Sequence, residues 1–136
     1  MPKLPTKLSD IYRHEPLFFG WTTTHKFHGK GKFNTSVWEI PKPQKSDLHP
    51  TMKPVELIEE CLLNSSLAKQ LILDPFLGSG STLIAAEKHG RRCRGLEIAP
   101  VYVDVIVRRW QFSGKAATLD GDGRTFAELS DARRPS

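Results

Sequence analysis

Cysteine is scarce in this sequence: Cys61 and Cys93 are the only two, far apart in the chain. Neither has the paired spacing of a zinc site or a disulfide framework, so no structural metal is expected and a reducing compartment is the better setting. Long apolar runs are missing too. The stretch from Met1 to Ser9 carries charge but no apolar segment able to act as a signal sequence, and nothing approaches the ~20 apolar residues of a membrane helix. A cytoplasmic protein without a membrane partner is the expectation. No internal repeat is present, which sets solenoids and propellers aside.

What remains is an ordinary globular composition. The 136 residues are 38% apolar and 26% charged, enough for one small domain or a piece of a larger one. The formal charge of +5 and a pI near 9.4 favour a polyanionic partner over a strongly basic one.

The chain divides into three stretches, 1–48, 49–114 and 115–136. In the first, Leu17–Trp21 and Ser36–Ile40 are rich in aromatic and branched residues and read as two strands of an antiparallel hairpin. Between them the polar segment Thr22–Thr35 carries Lys26, Lys30 and Lys32 among His25, Phe27, His28 and Phe33, an exposed basic loop able to meet phosphates. Its two histidines lack further ligands for a metal. Pro41 and Pro43 end the second strand.

In the central stretch Pro54 opens a helix with Glu56, Glu59 and Glu60 near its start, an apolar face from Val55, Ile58 and Leu62, and a stop at Asn64–Ser66. Leu71–Leu73 is a short apolar run leading into Asp74, the pattern of a parallel strand covered on both faces. A second helix over Thr82–Lys88 closes at Gly90 in a left-handed cap. Arg92–Ile98 reads as the next parallel strand, and Pro100–Phe112 as a third helix with Val101, Val105 and Ile106 on its apolar face, ended by Gly114. From Lys115 on the residues are mostly small, polar or charged, so order is expected to fade beyond Phe126.

The chemistry concentrates at Asp74-Pro75-Phe76-Leu77-Gly78-Ser79-Gly80-Ser81-Thr82, a glycine-rich turn between strand and helix. Glycines allow a sharp turn and close approach of a ligand, and free amides at the helix start face electron-rich groups. Glu97 follows at roughly the 20-residue spacing where an acid meets a ribose in nucleotide-binding βαβ units. A bare glycine pair means only a tight turn; with Glu97 it indicates a nucleoside cofactor. A dinucleotide fingerprint wants a third glycine, where this chain offers Ser81, Thr82 and Leu83. A nicotinamide cofactor is therefore the weaker alternative to S-adenosylmethionine, whose amino group Asp74 could face.

The segment Asp74–Thr82 resembles the cofactor motif of amino-directed DNA methyltransferases, Asp-Pro-Phe-x-Gly-Ser-Gly-Thr, with Ser81 in place of the usual threonine. His49-Pro50-Thr51-Met52-Lys53-Pro54 is similar to the segment that precedes this motif in the β-type order, and Gly95-Leu96-Glu97-Ile98 to the ribose-binding strand end. The resemblance covers His14 to Phe126 and is nearest to methylase domains of phage and ParB-like proteins. It implies a partial Rossmann-like α/β fold, parallel strands with flanking helices plus the hairpin, binding S-adenosyl-L-methionine. It assigns the cofactor to Asp74, Pro75, Phe76, Gly78, Ser79, Gly80 and Thr82, with Glu97 on the ribose and Thr51 and Lys53 on the opposite wall.

The same resemblance exposes an absence. The family holds its target base with an Asp/Asn/Ser-Pro-Pro-aromatic motif, and this sequence has no Pro-Pro pair. No catalytic residue can be assigned. The expected function is thus the cofactor-binding, carboxyl-terminal part of a methyltransferase acting on adenine N6 or cytosine N4, inactive without its missing catalytic half, with a complementary half or a homo-oligomer as the expected protein partner. The rival reading is a non-catalytic nucleic-acid-binding remnant.

Overall fold

The computed structural model describes residues 14–29, 35–41 and 52–132. Helix α1 (Val55–Ser65) follows Pro54, and Ser66 ends it in extended backbone, its amide donating back to the Leu62 carbonyl at 2.9 Å. Strand β1 (Leu71–Asp74) leads into the glycine turn and helix α2 (Ser81–Lys88). Gly90, at φ 68°, reverses the chain into β2 (Arg92–Gly95). Helix α3 (Pro100–Phe112) begins on proline, whose missing amide hydrogen costs nothing at a helix start, and Gly114 at φ 81° closes it. Helix α4 (Phe126–Ala132) ends the described chain.

β1 and β2 run parallel, Leu71 opposite Arg92 and Asp74 opposite Gly95, joined by α2 in a βαβ unit. The core lies between this unit and α1. Ala85 and Ala86 are wholly buried, and their lack of side-chain bulk lets α1 approach so that Leu62, Val55 and Ile58 pack with Ile72 and Cys93. Arg91 fastens the far end: buried, it donates to the Ser66 hydroxyl and carbonyl and to the His89 carbonyl, so each of its three guanidinium nitrogens has a partner.

Four expectations need correction. Leu17–Trp21 and Ser36–Ile40 pair in no sheet among the described residues; Phe18 is 94% exposed and Val37 69%. A two-stranded ribbon gains little stability without a layer beneath it, and the first segment meets α1 through the His28 amide, which donates to the Asn64 carbonyl at 2.9 Å. β1 is not covered on both faces: Ile72 turns to the core while Leu71 and Leu73 are 54% and 67% exposed, because helices lie on one side only. β2 stops at Gly95 rather than Ile98, the chain bending there into the Glu97 carboxylate's bonds. The polar tail is ordered past Phe126 because Thr125 caps α4.

Of the three glutamates expected at the start of α1, only Glu56 lies in its first turn. Glu59 reaches across to α2 instead, 2.7 Å from Lys88 Nζ and 3.2 Å from His89 Nε2. Burial works to raise its pKa, but the bonds and charges of Lys88 and His89 outweigh it and hold the carboxyl below its ordinary 4.5. No helix among the described residues is long and apolar enough to cross a membrane.

Candidate cofactor site

The glycine turn sits beyond the carboxyl ends of the two parallel strands, where open α/β sheets place their ligands. Sheet-like hydrogen bonding continues past the strands: the Leu96 amide donates to the Asp74 carbonyl at 2.9 Å, and the Leu77 amide to the Leu96 carbonyl at 2.8 Å. These bonds draw the Glu97 segment alongside the turn. Gly95 permits the approach, since a Cβ there would stand 2.4 Å from Leu77 Cδ2.

Within the turn Gly78 and Gly80 adopt φ of 56° and 82°, a left-handed backbone that glycine adopts without strain. Gly80 is the residue before α2, and a Cβ on it would press within 3.2 Å of Ile106 on α3. The first amides of α2 have no carbonyl of their own helix to bond and carry its positive dipole end. Asp74 accepts the Phe76 amide at 3.0 Å through Oδ1, which fixes its carboxylate at the mouth of the turn. Phe76 is 88% exposed and Ile98 98%, both just past the strand ends.

Glu97 bridges the two sides. Oε2 accepts the Gly78 amide at 2.8 Å and Oε1 the Ala99 amide at 2.8 Å. Each carboxylate oxygen can accept two hydrogen bonds, so both retain a lone-pair site while the group is held in one orientation. That is what two vicinal hydroxyls require of their acceptor.

The segment before α1 is tied to the turn as well: the Ser81 hydroxyl donates to the Lys53 carbonyl at 2.8 Å. The Lys53 ammonium pairs with Glu15, both exposed. Thus Lys53, Asp74, Pro75, Phe76, Gly78, Ser79, Gly80, Thr82 and Glu97 gather around one end of the βαβ unit. Thr51 lies outside the described residues, as do Lys30 and Lys32. Lys26 is exposed, on a different part of the chain.

The sequence reading did not anticipate Arg109. From α3 its Nη1 donates to the Ser79 carbonyl at 2.5 Å, and it lines a cleft with Pro41, Met52, Lys53, Pro54, Val55 and Glu56. Burial lowers its pKa from the ordinary arginine value. Arg109 stands three residues after Ile106, on the same helix face, a spacing that by itself does not mark it as functional. Burial also pushes the thiols of Cys61 and Cys93 up, which leaves neither as a ready nucleophile at neutral pH. Among the described residues no group of three metal-ligating side chains forms.

A βαβ unit with a glycine turn opposed by a strand-end carboxylate defines a nucleoside-binding α/β protein. Residues 9–108 match the DNA methylase family of N6/N4 type, and the chain belongs to that family. It is 31% identical over 103 residues to the type II methyltransferase M.Cfr9I of Citrobacter freundii, an alignment covering 74% of this chain and 34% of the relative. With the type II methyltransferase M2.DpnII of Streptococcus pneumoniae it shares 41% identity over 83 residues, 58% of this chain and 31% of the relative. Among solved structures, the M1.HpyAVI complex with SAM superposes with a TM-score of 0.47 at 28% identity, over 63% of this chain and 43% of that one. The chain therefore spans about a third of the length of the curated relatives named.

Proposed function

We propose that this chain is the S-adenosyl-L-methionine-binding part of a DNA methyltransferase acting on the exocyclic amine of adenine or cytosine. The observation that carries the reading is the Glu97 carboxylate, held by the Gly78 and Ala99 amides beside a turn of two positive-φ glycines. Bound there, the cofactor supplies an electrophilic methyl group on a sulfonium. Glu97 accepts the ribose hydroxyls; the Asp74 carboxylate, oriented by the Phe76 amide, faces the ammonium of the methionine portion. Phe76 offers an apolar surface to the purine. Pro75, Ser79, Gly80 and Thr82 shape the floor, and Thr51 and Lys53 form the opposite wall. Family membership favours this over a nicotinamide cofactor.

Transfer to an exocyclic amine needs polar acceptors that draw off the amine protons, because its lone pair is delocalised into the base. The base must also leave the duplex, at about a few kcal/mol. A Pro-Pro motif to hold it is absent from these residues. The chain by itself is thus proposed to bind cofactor without transferring methyl, and a complementary half completes the site over the exposed face of β1. Double-stranded DNA is the proposed substrate, with Lys26, Lys30 and Lys32 on its phosphates.

Calorimetry with S-adenosylhomocysteine and a tritiated-methyl transfer assay on duplex DNA test the two halves of the reading. The expected outcome is saturable one-to-one binding with no methyl transfer. Absence of binding refutes the cofactor assignment, and transfer by the chain alone refutes the missing half.

A further inference from the structure

The glycine turn contains three successive peptide planes whose surroundings differ. The Leu77–Gly78 plane is held at both ends: its carbonyl accepts the Gly80 amide at 2.9 Å, and its amide donates to Glu97. The Ser79–Gly80 plane is also held at both ends, by that same Gly80 amide and by Arg109 Nη1 on the Ser79 carbonyl. Between them, the Gly78–Ser79 plane makes no hydrogen bond to the described residues, although Ser79 is 5% exposed. Unpaired backbone groups at so crowded a point are costly unless a ligand or water meets them.

The Gly78–Ser79 and Ser79–Gly80 planes each have a glycine on one side, and a glycine without a Cβ offers less resistance to reorientation than any other residue. What fixes the orientation here comes from α3. Ile106 packs where a Cβ on Gly80 would stand, and Arg109, one turn later, holds the Ser79 carbonyl. The guanidinium is half-buried, and its other partner would be solvent in the cleft beside Lys53 and Pro54.

We propose that Arg109 is a positioning residue for the cofactor: by pinning the Ser79–Gly80 peptide it aims the unpaired Gly78–Ser79 peptide at the ligand. The inference rests on the reading that this turn binds S-adenosylmethionine. Arg109 touches the turn's backbone and transfers nothing.

The test is calorimetry with S-adenosylhomocysteine on the full chain, its Arg109→Met and its Arg109→Lys variants, with melting temperatures and amide spectra of Gly78, Ser79 and Gly80. Arg109→Met is expected to weaken binding about tenfold, the scale of one charge-assisted hydrogen bond, with those three amides broadened by exchange. Arg109→Lys, which keeps a cationic donor, is expected to recover most of the affinity and sharp signals. Equal binding by Arg109→Met and the parent overturns the proposal while leaving the cofactor reading intact. No binding by the parent overturns both. If Arg109→Met unfolds, Arg109→Gln, which lacks the cation and the reach, decides: folded with weakened binding and broadened Gly78–Gly80 amides supports the role, folded with parent-like binding and sharp amides refutes it.

Discussion

At the scale of single residues, two glycines and one carboxylate make the proposed cofactor site. Glu97→Gln keeps the shape but presents one carbonyl oxygen and a donor where two acceptors stood, so either the Gly78 or the Ala99 amide loses its partner. The loss of a charge-assisted bond is about 1.5–3 kcal/mol, and S-adenosylhomocysteine affinity should fall at least tenfold by calorimetry. Gly95→Ala acts on stability instead. Its Cβ would collide with the Leu77 isobutyl group, whose flexible end must move aside, and a modest fall in melting temperature is expected. The glycine turn and Glu97 were legible in the sequence because both have fixed spacing. Arg109 was not, because an arginine within an amphipathic helix reads as a solvated edge until the turn it grips is placed in space.

Among elements, α1 and α2 are joined by the alanine pair and by Glu59 with Lys88 and His89. Glu59 titrates below its unfolded value of 4.5, so it stabilises the fold above that pH and the contribution is lost as pH falls through the lowered folded value. Thermal melts from pH 6 to 3 should show an acid loss that is reduced in Glu59→Gln; identical pH profiles would remove Glu59 from the α1–α2 contact. Helix α4 depends on its own start. Thr125 and Glu128 bond reciprocally, the Thr125 amide and hydroxyl both to Glu128 Oε2 at 2.7 Å and the Glu128 amide to the Thr125 hydroxyl at 3.3 Å. Thr125→Ala should cost about 1 kcal/mol of local helix stability, seen as faster amide exchange in Phe126–Ala132 alone. That Thr-x-x-Glu spacing was visible in the sequence, yet the polar composition around it argued for fraying. The boundaries of α1 and α3 were easier, since proline starts both and Ser66 or Gly114 stops them. The hairpin over Leu17–Ile40 was misjudged for the opposite reason: aromatic and branched residues favour a strand only where a neighbouring surface receives them.

For the whole molecule, the exposed apolar residues Leu71, Leu73, Phe76, Leu96 and Ile98 are the other side of the same fact. Sequence periodicity placed β1 in a sheet covered on both faces, and the described residues cover one. A complementary segment that buries this face should raise the melting temperature, stabilising the fold by RT ln(1 + c/Kd), where c is the concentration of the segment. On the proposed function such a segment also has to bring the polar acceptors for the base amine, and the chain alone is expected to bind cofactor without transferring methyl. The central claim is that cofactor lies between the glycine turn and Glu97. It is tested most directly by titrating the isotopically labelled chain with S-adenosylhomocysteine and following every backbone amide. The account predicts saturable shifts centred on Gly78, Ser79, Gly80 and the Glu97–Ala99 segment; shifts centred elsewhere, or none at millimolar ligand, would contradict it.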